Sequence, residues 1–510
     1  MLALGTLATF LRDNCVMRVR IVPLPFQKYA IQVISKRLGK LTVHKHLGTF
    51  ATNEEKDTLL EKAREYIQSK TGQEELFSPP EHLQLKHVTI TQSQPLFLYR
   101  LLCRIYDHLG FNSCNDLLIR DLIIARVYQP QSKRETREIL SDLFGVHYSL
   151  ITIYRHLKTA MDNGLKDQFQ SALISFAREN LHDCLRLVFY DVTTLAFDSH
   201  MKVGLKDLGF SKDHRFADVQ IVVGLVVNRD GFPLYFDVFN GKTFEGKTFI
   251  SVVEKVKSLL NNPDLIVIAD AAMVSRFNVE ELDKRNIGFI VGARLANIPL
   301  KLQEEIAKEV LGQDLKTTTV GYLTHRLICQ YSNARAAKDR SDREKQIAKA
   351  EGVVSSPSQI SRRYRFVETV SGKYQINTAL IEKSKRLEGI KGYVTNTNLD
   401  EATVIDRYHD LWRIEKSFRI TKSDLEARPV FLRLDKTITC HLVIVFAGLA
   451  ICRYLEIETG LSIKKILKIA EKILTHRVIN SETREKALIE TTVTDEDLNQ
   501  KINVLNSLGH

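Results

Sequence analysis

Hydrophobic and polar residues alternate along residues 17–50, with the two-residue period that is typical of short β-strands. The period then lengthens to that of a helix as far as Ile67. The sequence that follows is polar and contains Ser78-Pro-Pro, which favours a connection without regular structure. The pattern therefore predicts a small β-rich N-terminal domain over residues 17–70 and a linker over residues 71–95.

From residue 96 to 180 the apolar residues recur every three to four positions, which predicts a helical region. Within it, one apolar helix ends at Gly145 and Ser149 opens the next, an arrangement that resembles a helix-turn-helix DNA-binding domain. The side chains that its recognition helix would aim at DNA are Tyr148, Thr152, Arg155 and His156. Any helical hairpin produces the same pattern, so DNA binding through Arg155 and ordinary packing remain equal alternatives.

Apolar runs of strand length alternate with helical periods along residues 185–294, which predicts a mixed α/β region. The predicted order is strand 185–194, strand 219–228, strand 233–240, helix 247–260, strand 264–270, helix 275–286 and strand 288–293. A turn at Asn228-Arg-Asp-Gly joins the second and third strands and favours an antiparallel meander of the first three. Because the fourth strand follows a helix, we expect it to pair in parallel.

Two of these apolar runs end on an acid, at Asp191 and at Asp270. A buried strand whose first polar residue is an aspartate usually places that carboxylate at the rim of a sheet. Either residue alone can be an ordinary capped strand end. Together they predict two carboxylates on neighbouring central strands.

Residues 295–390 interrupt this order, with strand character over 317–331 and a charge-dense helix over 333–349. A helix of mixed charge is usually a solvated surface. The cluster that follows, Arg362, Arg363 and Arg365 around Tyr364, is a better candidate for contact with a nucleic-acid backbone.

A further helix is predicted from Tyr408 to Lys422, with Glu415 in its middle. At 3.6 residues per turn these three residues lie two turns apart on one face. Alone, this is the pattern of an amphipathic core helix. Combined with Asp191 and Asp270, it gives three carboxylates that can converge and hold divalent, oxygen-seeking metal ions.

The spacing of Tyr408, Glu415 and Lys422 resembles that of the DDE transposases of bacterial insertion sequences, in the class named for a Tyr-Arg-Glu-Lys signature. The chain departs from the signature at its arginine, where Leu411 stands and Arg413 and Arg419 are the nearby alternatives. Further segments that look like this family are Phe210-Ser-Lys-Asp-His-Arg, Asp230-Gly-Phe-Pro, Gly241-Lys-Thr-Phe-Glu-Gly and Gly392-Tyr-Val-Thr-Asn. The similarity runs from about Asp191 to Tyr454, and the best match is a long-form group with an extra N-terminal β-rich region.

This resemblance implies an α/β fold class with an RNase H-like catalytic core in two parts. The first part is residues 185–294, and the second part, residues 391–457, carries the catalytic glutamate helix. A β-rich insertion over residues 295–390 would separate them. The charged helical pattern beyond the core predicts a C-terminal helical tail over residues 458–510.

The resemblance also implies that Asp191, Asp270 and Glu415 are both the catalytic residues and the metal ligands, and that they hold two Mg²⁺ ions, for which Mn²⁺ can substitute. The implied reaction is cleavage of DNA strands at the element's ends, followed by attack of the freed 3′-hydroxyl on target DNA. Tyr408 and Lys422 resemble the family positions that hold the terminal DNA phosphates.

Other residues near the three acids are candidates for DNA contact. Trp412 either stacks near a displaced base or fills the core, and we favour the core because tryptophan buries a large area. Arg419 either pairs with Glu415 or faces a phosphate, and we favour the phosphate. A basic loop near the first aspartate contributes Lys212 and Arg215.

Charge and cysteine usage agree with a nucleic-acid partner inside the cell. The 510-residue chain carries a formal net charge of +12, a moderate excess that suits DNA binding without requiring it. Its 7 cysteines form no Cys-x-x-Cys pair, which favours a reducing bacterial cytoplasm and argues against a zinc site. The apolar stretch Leu442–Ile451 is too short to span a bilayer, so we expect no membrane association.

The expected partners are double-stranded DNA, as terminal inverted repeats and as target, and a second copy of the chain in a synaptic homodimer. Two alternatives remain: a catalytically inactive DNA-binding relative, and an RNase H-like nuclease without strand transfer.

Overall fold

The computed structural model describes most of the chain in side-chain detail. The described residues are 17–24, 28–37, 40–50, 55–56, 58–60, 62–63, 66–67, 88–181, 185–198, 200–209, 217–273, 275–355, 364–370, 373–427, 432–481, 484–491 and 496–509. Four residues predicted to contact DNA lie outside these ranges, namely Lys212, Arg215, Arg362 and Arg363.

The chain divides into two compact units, the first of which contains the described residues up to Ser93 together with His476–Glu490. One sheet of this unit has the order β1-β2-β3, and a second has the order β16-β15-β4. The strands are β1 Met17–Leu24, β2 Lys28–Arg37, β3 Lys40–Phe50, β4 Val88–Gln94, β15 Thr475–Asn480 and β16 Lys486–Glu490. The N-terminal strands lie where the alternation of the sequence predicts them.

Two predictions about this unit are wrong. The expected linker contains β4 at its C-terminal end, and the expected helical tail contains β15 and β16. The reason is long-range pairing, because β4 acquires its partner β15 from a segment almost four hundred residues later in the chain.

The second unit begins with the predicted helical region. Its helices are α1 Leu96–His108, α2 Leu117–Tyr128, α3 Lys133–Phe144, α4 Leu150–Asp162 and α5 Leu165–Asn180. Gly145 ends α3 in the left-handed conformation, at φ +69°, which glycine adopts without a steric penalty. Ser149 caps α4 by accepting a hydrogen bond from the backbone N–H of Thr152 at 3.0 Å. Both helix boundaries were therefore readable from the sequence.

An eight-stranded sheet forms the centre of the second unit, in the order β10-β11-β14-β9-β8-β5-β6-β7. Its strands are β5 Leu187–Ala196, β6 Gln220–Val227, β7 Pro233–Asn240, β8 Ile266–Ala269, β9 Gly288–Ala293, β10 Thr317–Tyr322, β11 His325–Tyr331 and β14 Ile390–Thr395. The strands β5, β6 and β7 form the predicted antiparallel meander. The strand β8 enters beside β5 in parallel after α6 Glu245–Leu260, and β9 pairs in parallel with β8 after α7 Arg276–Lys284.

The segment between the two parts of this sheet is not β-rich, so that prediction is wrong. It contains α8 Leu300–Val310, α9 Asn333–Ser355, α10 Thr378–Arg386 and a hairpin of β12 Val367–Val370 and β13 Lys373–Ile376. The strands β10 and β11 do not form a separate domain, since β11 pairs with β14 and extends the central sheet. The predicted strands and charged helix exist, but the strands join the edge of the central sheet through the pairing of β11 with β14.

A long apolar helix, α13 Asp435–Thr459, packs against this sheet and the helical region. Within the described ranges it alone is long and apolar enough to cross a membrane, but 94% of its most apolar window is buried inside the protein. It is a core helix, as the short apolar stretch of the sequence predicted. After it come α14 Ile463–Ala470 and α15 Glu496–Ser507.

The predicted continuous helix from Tyr408 to Lys422 is divided in three. It consists of α11 Glu401–His409, α12 Trp412–Arg419 and a π-helical turn Ile420–Asp424. At the first break the chain tightens, because the N–H of Leu411 bonds to the carbonyl of Tyr408 at 3.1 Å, only three residues back. A tight turn and a wide turn each shift the phase of the helix, so the two-turn spacing no longer puts all three signature residues on one straight face.

Gly224 on β6 provides a test of the packing of this sheet. A Cβ atom there would lie 2.8 Å from the hydroxyl of Tyr190, which is fully buried and hydrogen-bonded to Thr248 at 2.6 Å. We predict that Gly224→Ala lowers the free energy of unfolding by about 1–3 kcal/mol through overpacking. Gly321→Ala on β10 is the control, since its Cβ would meet no atom within 4 Å. Equal urea midpoints for the two variants would contradict this account.

Candidate active site

The parallel pairing of β5 with β8 places the two predicted aspartates side by side. Tyr190 is the register partner of Ala269, so Asp191 and Asp270 occupy the next position on adjacent strands. Adjacent strands lie about 4.8 Å apart, and register partners in a parallel pair face the same side. The prediction that both acids stand on neighbouring central strands is confirmed.

Each aspartate is oriented by the backbone next to it. Asp191 accepts a hydrogen bond from the N–H of Val192 at 2.7 Å, and Asp270 accepts one from the N–H of Ala271 at 2.7 Å. Asp191 is partly exposed and Asp270 is exposed. Both carboxylates are therefore at least partly open to solvent, where a cation or a reacting group can reach them.

The glutamate helix α12 is fixed by the polar side chains on one of its sides. Arg413 forms ion pairs with Asp410 at 3.1 Å and with Asp230 in the β6–β7 turn at 3.3 Å. Ser417 donates to the carbonyl of Gly231 in the same turn at 2.9 Å. Arg413 is thus engaged in holding the helix, which leaves it poorly placed to replace the missing arginine of the signature.

Lys416 fastens the same helix to α13 through a 2.8 Å ion pair with Glu456. Glu456 also pairs with Arg453 at 2.5 Å and is almost fully buried. A buried ion pair of this kind is costly to break, because removing one cationic partner leaves the carboxylate with uncompensated charge. The helix is therefore held on two sides.

This anchoring leaves Trp412, Glu415 and Arg419 exposed on the opposite face of α12. Trp412 is 54% exposed, so the predicted core role is wrong. The residue begins a helix whose other faces are already occupied, and its ring contacts the guanidinium of Arg413 at 5.5 Å. Within the described residues Arg419 forms no ion pair, with Glu415 or otherwise.

Tyr408 is a buried part of the site, with 4% of its surface exposed. Its hydroxyl donates a hydrogen bond to Asp270 at 3.2 Å, and its ring packs edge-on against Tyr393 at 4.9 Å. Burial, followed by the negative charge of Asp270, raises the pKa of the Tyr408 hydroxyl. The expected exposed stacking surface is absent at this position, where the tyrosine orients an acid instead.

Lys391 on β14 is a site residue that the sequence did not reveal. Its ammonium nitrogen lies 4.5 Å from the centre of the Tyr408 ring. Burial and the charge of Arg335 lower the pKa of Lys391, whereas Asp270 and Glu415 act to raise it. Lys391 therefore lies within electrostatic range of both acids, and its position directly before the Gly392 segment was the only signal available.

The three carboxylates of Asp191, Asp270 and Glu415 have the hard oxygen donors that Mg²⁺ and Mn²⁺ prefer. Across the ranges that the structure describes, no three His, Cys, Asp or Glu side chains are already gathered closely enough to hold a metal ion. The carboxylates of Asp191 and Asp270 are placed to coordinate a metal ion together, and Glu415 on α12 is the third candidate ligand. The donor set fits in its chemistry, and a complete metal site needs the three carboxylates to come closer together or further ligands to arrive.

Two further candidates for DNA contact within the described residues are Lys422 and Arg155. Lys422 is partly exposed in the π-helical turn. Arg155 is exposed on α4, but two of its proposed companions are engaged inside the helical region. Tyr148 donates to Asp121 at 2.7 Å, and His156 pairs with Asp116 at 2.7 Å.

The fold is mixed α/β, with two aspartates side by side on neighbouring central strands and a third acid on a nearby helix, a donor set that suits divalent metal ions. Residues 183–451, more than half of the chain, match the family model described as the transposase DDE domain. The chain belongs to this family of transposases. None of the curated proteins matches the sequence significantly.

Similar solved structures are transposases in complexes, although the similarity is too low to support an argument. A piggyBac transposase synaptic complex with hairpin DNA has a TM-score of 0.40 at 8% identity, covering 74% of this chain and 79% of that one. A pre-cleavage Mos1 transpososome has a TM-score of 0.16 at 11% identity, covering 45% and 67%. A Mos1 paired-end complex with the left transposon end has a TM-score of 0.16 at 12% identity, covering 45% and 66%.

The electrostatic influence of Glu415 on Lys391 can be tested without metal or substrate. Glu415→Gln removes an anion that favours the ammonium form, so the pKa of Lys391 should fall and more of the reactive neutral amine should be present. We predict faster acylation of Lys391 by acetic anhydride at about pH 8, below the usual lysine pKa of about 10.4. Mass spectrometry with Lys345 as the internal reference measures the ratio.

The matched control for this experiment is Glu305→Gln, which neutralises an exposed acid on α8. It should leave the ratio of Lys391 to Lys345 labelling unchanged. If Glu415→Gln also leaves the ratio unchanged, Lys391 and Glu415 do not face each other.

Proposed function

We propose that this protein is the transposase of a bacterial insertion sequence, which binds the element's ends and catalyses Mg²⁺-dependent strand cleavage and strand transfer. The observation that carries the proposal is the β5–β8 register, which sets Asp191 beside Asp270 in a chain of the transposase DDE family. The anchored helix α12 supports it by presenting Glu415 on an exposed face.

Asp191, Asp270 and Glu415 are the residues that would hold the metal. Two bound Mg²⁺ ions would lower the pKa of a water or 3′-hydroxyl and neutralise charge on the leaving oxygen. Asp191 and Asp270 supply donors whose separation is set by the sheet, and Tyr408 fixes the orientation of Asp270 through its hydrogen bond. Trp412 and Arg419 share the exposed face of Glu415, where a base and a phosphate of the DNA end can contact them.

Several finer assignments belong to the same proposal. We assign the chain to the Tyr-Arg-Glu-Lys class in its long form, and the meander β5-β6-β7 with β8 and β9 to an RNase H-like core. Lys422 and Arg155 contact double-stranded DNA in this scheme. Two copies act together because synapsis joins two ends, and the reaction takes place on bacterial DNA in the cytoplasm.

A nuclease without strand transfer and an inactive DNA-binding relative are the competing functions. The nuclease yields cleaved DNA without joined product, and the inactive relative yields neither. DNA carrying the element's own ends, incubated with Mg²⁺ and with products resolved strand by strand, separates the three functions.

The acids are tested by Asp191→Asn, Asp270→Asn and Glu415→Gln, each of which removes a ligand charge with little change of shape. We predict that each lowers Mg²⁺-dependent cleavage by more than about 100-fold, since even changes to the groups that hydrogen-bond a metal's ligands cost about 10–100-fold. Binding to the element's ends, measured by fluorescence anisotropy, should be mostly retained.

Asp264→Asn is the matched control. Asp264 is an exposed acid that lies before the start of β8, whereas Asp270 follows its end. It should cleave like the wild-type protein. A triad variant that still cuts DNA with Mg²⁺ at the control's rate would remove that residue from the site.

A further inference from the structure

A cleft of about 520 Å³ opens at the end of β9 and the start of β14. Lys391 and Gly392 of β14 line its sheet side, and Arg335, Arg343 and Lys383 line it from α9 and α10. The cleft therefore lies between the central sheet and the segment that interrupts it.

The cleft is lined by more cations than anions. Its charged residues are Arg335, Arg343, Arg365, Lys383, Lys391, Asp339, Asp342 and Glu388, which gives five positive charges against three negative charges. Two of the cations already have partners within the protein. Arg343 pairs with Glu388, both mostly buried, and Arg365 hydrogen-bonds Gln346 and Ser384 at 3.4 Å.

The other cations are available to a ligand. Arg335 pairs only weakly, with Asp339 one turn away on α9 at 3.5 Å, in an exposed position where such pairs contribute little. Among the described residues, Lys391 and Lys383 have no ion-pair partner. An anion that enters the cleft can therefore bind these groups without breaking a buried ion pair.

Lys391 connects the cleft to the acids. Its nitrogen lies over the Tyr408 ring at 4.5 Å, and the Tyr408 hydroxyl is 3.2 Å from Asp270. A phosphate held by Lys391 would lie next to the carboxylates, and Arg335 would contact its neighbour farther along the cleft. Lysine serves as a point charge and arginine as a two-pronged donor, and both suit phosphate oxygens.

We propose that this cleft is the groove in which the DNA backbone lies as it enters the active site, with Lys391 and Arg335 binding successive phosphates; the proposal rests on the transposase function above. Lys391 is a substrate-binding residue in this assignment. The segment between the two parts of the sheet then forms one wall of the DNA path.

The test compares full-length wild-type protein with Lys391→Ala and Arg335→Ala. Lys345→Ala removes an exposed lysine from α9 outside the cleft, and Lys391→Arg keeps the charge at the site. Fluorescence anisotropy measures binding of a short labelled duplex that ends in the element's terminal sequence, in EDTA, from about 50 to 200 mM salt. Circular dichroism melting checks that each variant is folded.

For each lost phosphate contact, the slope of log K against log salt should become shallower by about 0.9. We expect this change for Lys391→Ala and Arg335→Ala, and the wild-type slope for Lys345→Ala and Lys391→Arg. Folded alanine variants with the wild-type slope, or a wild-type protein that does not bind the duplex, would overturn the proposal.

Cleavage assays on the same proteins separate this proposal from the function on which it rests. If the wild-type protein cuts DNA with Mg²⁺ while the cleft variants keep the wild-type salt slope, the groove is wrong and the transposase function stands. If the wild-type protein binds but does not cut, the function fails, and the salt slopes still decide the groove.

Discussion

The pairing of β5 with β8 is the constraint on which the site depends. Two carboxylates side by side repel each other, so the chain gains nothing locally from bringing Asp191 and Asp270 together. Their neighbours resolve this conflict, because both strands are buried apolar runs whose ladder of hydrogen bonds fixes the register. Consecutive residues of both strands are apolar and buried, so a shift of register would disturb close packing on both faces of the sheet. The free energy of the core thus maintains a geometry that electrostatics alone would oppose.

The same principle orients the glutamate. The turn between β6 and β7 presents Asp230 and the carbonyl of Gly231 to one side of α12, and the buried Glu456 holds Lys416 on another. Gly231 has φ +78°, and a Cβ there would crowd Arg453 and the backbone of Arg413, so this turn needs glycine. Since the inward faces of α12 are committed to these contacts, Glu415 has only the exposed face left. Glu415 is accessible because the other faces of its helix are occupied by packing contacts.

The segment that interrupts the core packs next to the candidate site. Because β10 and β11 extend the central sheet from β14, the helix α9 comes to line the same cleft as Lys391. Arg335 is close enough to affect the pKa of Lys391, Tyr393 and Tyr408, although burial is the largest influence on all three. In a separate domain, these cations would be independent of the candidate site. Sharing one sheet gives them a fixed place next to it.

Local periodicity and capping residues were enough to predict the strands of the meander, the parallel entry of β8, the helix ends at Gly145 and Ser149, and the neighbouring positions of Asp191 and Asp270. These features depend on which neighbours in sequence are apolar, and that information is present in any short window. The sequence could not predict that Val88–Gln94 pairs with Thr475–Asn480, or that β10 and β11 join the central sheet, because these pairings depend on which distant edge is free. It also missed Lys391 and misplaced Trp412 and Tyr408. Whether a side chain on a helix or strand is buried depends on what packs against that face, and only the tertiary structure decides that.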